Sequence, residues 1–237
     1  MKKFDKLLSG HIAWSATDFD LQDAAIRSQE SVFGNFMTDL MRTEFNSDIA
    51  IINAGSFRGG DLIPSGPISN KTLVKIFPFP DTCLQLKVPG AIIKQVLDHG
   101  VSEYPNHDGR FPCVSGLSFK FDPNQPKGSN RVTQVNIDEK GPLQDSETYT
   151  LTVTSFMGNG GDGYKMLLEE GVEQISEADN GLWMIDLVKQ FFARTSTSYE
   201  VIPSRKARRD IRFKLFAMDE ANSENISPDG KWVMVNP

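Results

Sequence analysis

Residues Gly158, Gly160, Gly161 and Gly163 stand in the order Gly-Asn-Gly-Gly-Asp-Gly, a literal match to G-x-G-x-x-G. Alone this pattern would suggest a dinucleotide. A dinucleotide-binding unit, however, needs a second parallel strand ending in an acidic residue about 20 positions on, and here residues 172–194 read as polar loop and helix. No Gly-Lys-Ser/Thr follows either, so the segment is not a nucleotide-triphosphate loop. A turn that needs glycine only for tight backbone geometry stays open as the plainer reading.

Asn53-Ala-Gly-Ser-Phe-Arg58 offers an amide and a guanidinium on a loop after an apolar run. Arginine suits phosphate or carboxylate because its planar fork donates paired hydrogen bonds. Phe77-Pro-Phe79-Pro and Ser155-Phe156-Met157 set aromatics beside turn-forming residues, where core burial is less assured. An exposed ring pair could grip a flat group, and base stacking is worth roughly 1–3 kcal/mol per base.

Metal chemistry has little to draw on. The three histidines (His11, His99, His107) and two cysteines (Cys83, Cys113) all stand at least six residues apart, so no clustered ligand set is visible. The cysteines read as buried or free thiols, and they do not fix a compartment.

Helical spacing is clearest from about Glu30, where Phe33, Phe36, Met37, Leu40 and Met41 recur on one stripe. Residues 48–53 then form a short, nearly all-apolar run of the kind a buried strand shows. Helices are expected at residues 70–77, stopped by Pro78, at 90–101, at 164–170 and at 180–194. Strands are expected at 83–88, 117–121, 131–137, 148–154 and 210–215, with a polar loop from about Asp219 to Gly230. Helices and strands mix without regular βαβ alternation, which predicts an α+β fold of layered mixed sheets rather than a doubly wound sheet.

The 237 residues suffice for folding to bury roughly 72% of the extended chain's surface, with 39% hydrophobic residues to do it. No apolar run reaches the ~18 residues of a membrane span, and the first ten residues are too weakly apolar for a signal peptide. Localisation stays unknown. The net charge of −6 argues against a nucleic acid as main partner, with Arg205-Lys-Ala-Arg-Arg209 a local exception that also reads as a solvated surface.

Taken in order, Arg27, Phe33-Gly-Asn-Phe-Met-Thr-Asp39, Asn53 to Arg58, Phe77-Pro-Phe79, Val114-Ser-Gly-Leu117 and Ser155 to Tyr164 form one series. The series resembles the carboxy-terminal domain of the 5′-nucleotidase family, which includes bacterial UDP-sugar hydrolases, 2′,3′-cyclic-nucleotide phosphodiesterases and animal ecto-5′-nucleotidases. The resemblance runs from about Ile12 to Leu215 and implies a layered α/β/β/α domain over residues 13–216. It implies that Phe79 and Phe156 sandwich a base, that Asp162 accepts from ribose hydroxyls, that Arg27 and Arg58 approach ribose and phosphate, and that Asn53 lies near base or sugar. Gly158, Gly160, Gly161 and Gly163 would form the loop carrying Asp162.

The resemblance also implies a hydrolase parent in nucleotide catabolism, whose amino-terminal metallophosphoesterase domain holds two divalent metal ions. The Asp-x-His and Gly-Asn-His-Glu segments such a centre uses do not occur here. The expectation is therefore a substrate-recognition domain without catalytic or metal residues of its own, inactive alone. Residues 1–12 are expected to end the interdomain linker helix, the metal half to lie upstream, and residues 217–237 to form a polar tail or the start of a further segment. The alternative is a free-standing, non-catalytic ligand-binding or interaction module of the same fold.

Overall fold

The computed structural model describes residues 10–15, 17–58, 60–175, 182–194, 199–201 and 213–217. In chain order the elements are β1 (His11–Ser15), β2 (Phe19–Asp20), α1 (Asp23–Ile26), α2 (Val32–Glu44), β3 (Ile49–Asn53), β4 (Leu62–Ile63), β5 (Gly66–Ser69), α3 (Asn70–Ile76), β6 (Cys83–Pro89) and α4 (Gly90–Gly100). There follow β7 (Pro112–Ser115), β8 (Leu117–Phe121), β9 (Val132–Ile137), β10 (Gly141–Pro142), β11 (Thr148–Thr154), α5 (Ser155–Gly158), β12 (Glu173–Gln174), α6 (Met184–Arg194), β13 (Tyr199–Val201) and β14 (Phe213–Ala217).

The central sheet has the order β12-β6-β11-β3-β7, and it is mixed. Strand β11 runs parallel to β3, with Leu151 opposite Ile49, whereas β6 and β7 are antiparallel to their neighbours. All five residues of β3 are buried, which accounts for its unbroken apolar run. A second sheet has the order β13-β14-β1-β5 and a third β10-β9-β8, both antiparallel throughout, so the chain adopts the predicted α+β arrangement, with the central sheet alone mixed among these three.

Helix α2 lies against the central sheet at β3 and β7. Ser31 Oγ caps it by accepting from Gly34 N at 3.0 Å. Phe33, Phe36, Met37, Leu40 and Met41 are all buried, as the helical spacing requires. Gly34 permits the approach to β7, since a Cβ there would fall 2.5 Å from Cys113 Sγ. Cys83 and Cys113 are both buried, and no disulfide joins them.

The topology determines where a site can form. Because β3 and β11 are parallel, their carboxyl ends, Asn53 and Thr154, emerge at one edge of the sheet. The antiparallel neighbours begin at that edge: Cys83 of β6 pairs with Thr154, and Pro112 of β7 pairs with Asn53. Segments 53–58, 79–82, 108–111 and 155–163 therefore converge there.

Several expectations change. The helix expected over 164–170 is a single 3₁₀ turn, Lys165–Leu168, because Tyr164 is drawn into the core and Glu169 is already extended, at φ −76° and ψ 161°. Of the linker helix expected over 1–12, His11 and Ile12 are strand: β1 pairs with β5 and β14, Ala13 standing opposite Ile68 and Ala217. Strands β5 and β7 escaped the sequence pattern because each contains a proline, Pro67 and Pro112, and is short. Residues 1–9, 180–181, the Arg205–Arg209 cluster, 210–212 and 218–237 lie outside the described residues.

A candidate ligand-binding cleft

A cleft of about 380 Å³ opens at the convergent edge. Arg27, Asn53, Arg58, Phe79, Phe156 and Asp162 all line it, so the fold brings together every candidate ligand-contacting side chain from separate segments of the chain. Phe79 and Phe156 keep 48% and 46% of their surface exposed. Phe33, Phe57 and Phe77 pack on one another in the core instead, with Phe33 and Phe57 ring centroids 5.2 Å apart. The division of labour within Phe77-Pro-Phe79 is thus one ring inward and one ring out.

Asn53 is buried at the end of β3, and both ends of its amide are engaged. Its Nδ2 donates to Asp162 Oδ2 at 2.7 Å, and its Oδ1 accepts from Ser56 Oγ at 2.6 Å. The amide therefore fixes one carboxylate oxygen of Asp162 while the Asp162 residue itself stays exposed. A carboxylate held this way presents acceptor capacity to hydroxyl groups.

Arg58 Nη1 donates to the carbonyls of Gly55 and Phe57. Its guanidinium carbon lies 5.0 Å from the Phe79 ring centroid, a cation–π contact that supports the exposed ring. Arg27 follows α1; its Nε lies 3.1 Å from Asp23 Oδ1, and its Nη1 reaches His107 O at 3.5 Å. Burial pushes the Asp108 carboxyl up, but hydrogen bonds from Arg110 and the charges of Arg110 and Arg27 outweigh it and hold this group below the ordinary carboxylate range.

Gly158, Gly160, Gly161 and Gly163 shape the wall that carries Asp162 rather than lining the cleft. A Cβ on Gly161 would lie 2.6 Å from the Phe156 ring and from Phe156 O, so glycine lets that ring fold over the loop. Gly163 has φ +86°, and its missing side chain leaves room for His99 at 2.8 Å. The left-handed residues Gly160, Asp162 and Gly163 interrupt the chain ahead of the helix expected over 164–170, leaving the short 3₁₀ turns Gly161–Gly163 and Lys165–Leu168.

Sequence reasoning missed Asp81, Gly55 and Gly109. Asp81 lines the cleft, and its Oδ1 accepts from Ser155 Oγ and from Phe156 N, the latter at 3.0 Å. It thereby ties the segment bearing Phe79 to the backbone of Phe156, 75 residues on. Gly55 N donates to Gly109 O at 2.7 Å, and a Cβ on Gly55 would fall 3.0 Å from Gly109 Cα. Gly55 stands in the 53–58 loop singled out in the sequence, but its partner Gly109 becomes visible only with the fold.

The described residues do not fit a metal centre. No group of three or more His, Cys, Asp or Glu among them could hold a metal ion, and the cleft's two carboxylates already accept protein hydrogen bonds. No helix among them is long and apolar enough to cross a membrane.

Residues 10–169 match the family described as "5′-nucleotidase, C-terminal domain". This chain belongs to that family. It is 31% identical over 166 residues to the trifunctional nucleotide phosphoesterase protein YfkN of Bacillus subtilis, across 67% of this chain and 11% of YfkN. It is 24% identical over 221 residues to the mouse 5′-nucleotidase, across 86% of this chain and 38% of that protein. The crystal structure of a 5′-nucleotidase precursor from Thermus thermophilus superposes with a TM-score of 0.72 at 34% identity, covering 80% of this chain and 38% of that one. The chain thus spans between about a tenth and two fifths of the length of these relatives.

Proposed function

We propose that the cleft binds a nucleoside or nucleotide and that the chain is the substrate-recognition part of a metal-dependent phosphoester hydrolase. One observation carries the reading: two half-exposed phenylalanines line the same cleft as a carboxylate fixed by an amide and two arginines. Two aromatic faces suit a base, the carboxylate suits the paired hydroxyls of a ribose, and the guanidiniums suit phosphate. The names of relatives that act on nucleotides support the same reading.

The base stacks between Phe79 and Phe156, while Arg58 backs the Phe79 ring. Asp162 accepts from the ribose hydroxyls, with Asn53 holding its carboxylate in place, and Arg27 and Arg58 face the phosphate side. Fixing the substrate in this way contributes to catalysis through orientation. Two divalent metal ions in an amino-terminal domain of the parent protein would supply the hydrolytic chemistry. The residues of this chain bind and orient only.

Calorimetry of the chain with adenosine and AMP tests the reading. Saturable binding to wild type that is abolished by Phe79→Ala and Phe156→Ala together is expected. Equal binding by the double variant overturns it.

A further inference from the structure

We infer that His99 is a positioning residue for Asp162, holding its carboxylate at the hydroxyl-binding wall of the cleft; the inference rests on the nucleoside reading above. His99 stands on the last turn of α4 and is not among the residues lining the cleft. Its Nε2 lies 2.8 Å from the main-chain oxygen of Asp162. A carbonyl only accepts, so Nε2 carries the hydrogen and donates.

Asp162 needs a second grip. It adopts φ 51° and ψ 20°, a left-handed conformation uncommon for a residue other than glycine, which persists where the surroundings hold it. Asn53 holds the side chain and His99 the main chain. With only the first hold, the backbone can relax and carry the carboxylate away from its place.

The imidazole is itself immobilised by its surroundings. Its edge packs on Tyr164 with centroids 4.9 Å apart at 75°. Tyr164 is fully buried, and its hydroxyl donates to Arg110 O at 2.5 Å. Gly163 presents bare backbone to the ring, where a Cβ would come within 2.8 Å. Ser102 Oγ donates to His99 O at 2.7 Å and accepts from Arg110 Nη1 at 3.3 Å. One helix end thus anchors both the Asp162 loop and the 108–110 segment that brings Gly109 to the cleft.

Calorimetry with adenosine and with 2′,3′-dideoxyadenosine, which lacks both hydroxyls, separates this role from general support. Wild type is expected to prefer adenosine by at least about tenfold, the effect of hydrogen bonds to a charged group. His99→Ala is expected to lose most of that preference while binding dideoxyadenosine as wild type does, because the aromatic faces are untouched. His99→Gln, whose amide can still donate to the Asp162 carbonyl, is expected to restore it. Should the alanine variant fail to fold, His99→Asn, too short to reach the carbonyl, carries the same expectation as alanine. A preference kept in full by the alanine or asparagine variant, or an equal loss for both ligands, overturns the inference. A wild type that binds both ligands equally instead overturns the ribose assignment, and this inference with it.

Discussion

The side-chain amide of Asn53 donates to Asp162 Oδ2 at 2.7 Å, joining two residues 109 positions apart in sequence. The bond is possible because β3 and β11 run parallel and end at the same sheet edge. It converts an exposed aspartate on a glycine-rich loop into an acceptor of fixed position. The buried amide in turn gains partners at both ends, which avoids the cost of an unsatisfied polar group.

Replacing that amide by a carboxylate sets like charges against each other. Asn53→Asp is expected to weaken adenosine binding by about tenfold or more and to lower stability by roughly 1–3 kcal/mol through a buried, unpaired acceptor. Calorimetry and thermal unfolding of the same preparation check both arms.

The two exposed rings should behave differently from the core rings. Phe79→Ala and Phe156→Ala are each expected to cost about 1–3 kcal/mol in nucleoside affinity and little stability, because nearly half of each side chain is already in solvent. Phe33→Ala, in the buried aromatic cluster, is expected to cost about 3–5 kcal/mol of stability. Denaturant unfolding alongside binding distinguishes the two groups.

Much of this division was legible beforehand, and for identifiable reasons. Strands Leu117–Phe121 and Thr148–Thr154 have the bounds their sequence patterns predict, although Thr152 and Thr154 are buried where alternation would expose them. Likewise the six candidate contacts, which the resemblance to the family implied and residue type alone did not single out, all line one cleft. What escaped depended on partners distant in sequence. Asp81 reads as an ordinary turn residue until Phe156 N is placed beside it, and Asp162 shows no sign in sequence of a left-handed backbone gripped by His99. The helix expected after Gly163 failed because periodicity does not register that Tyr164 is committed to the core.

Arg27 and Arg58 are expected to separate nucleotide from nucleoside. Arg27→Met should weaken AMP by about tenfold, the value of a charge-assisted hydrogen bond, and adenosine much less. Raising the salt concentration should weaken AMP binding to wild type and leave adenosine binding nearly unchanged. Titrations at two ionic strengths provide the comparison.

Acid should loosen the scaffold before it affects the rings. Burial raises the Asp48 carboxyl, but the hydrogen bond from Lys140, the bonds from Thr150 N and Oγ1, and the Lys140 charge outweigh it and hold the group below its ordinary 3.8. A depressed carboxyl contributes stability above its unfolded value and loses it as pH falls through the folded one. Melting temperature is therefore expected to be steady above about pH 5 and to fall below about pH 4. Asp48→Asn is expected to lose about 1 kcal/mol at neutral pH and to show a shallower acid decline, read by thermal unfolding across pH.

The proposed function depends before all else on a base lying between Phe79 and Phe156. Proton NMR of adenosine titrated with the chain reads that contact at the base itself, since a proton held over an aromatic face is shielded. The H2 and H8 resonances are expected to move upfield on binding, with the shift reduced in each single phenylalanine variant and absent in the double variant. Binding without an upfield shift, or a shift that survives both substitutions, refutes the stacking.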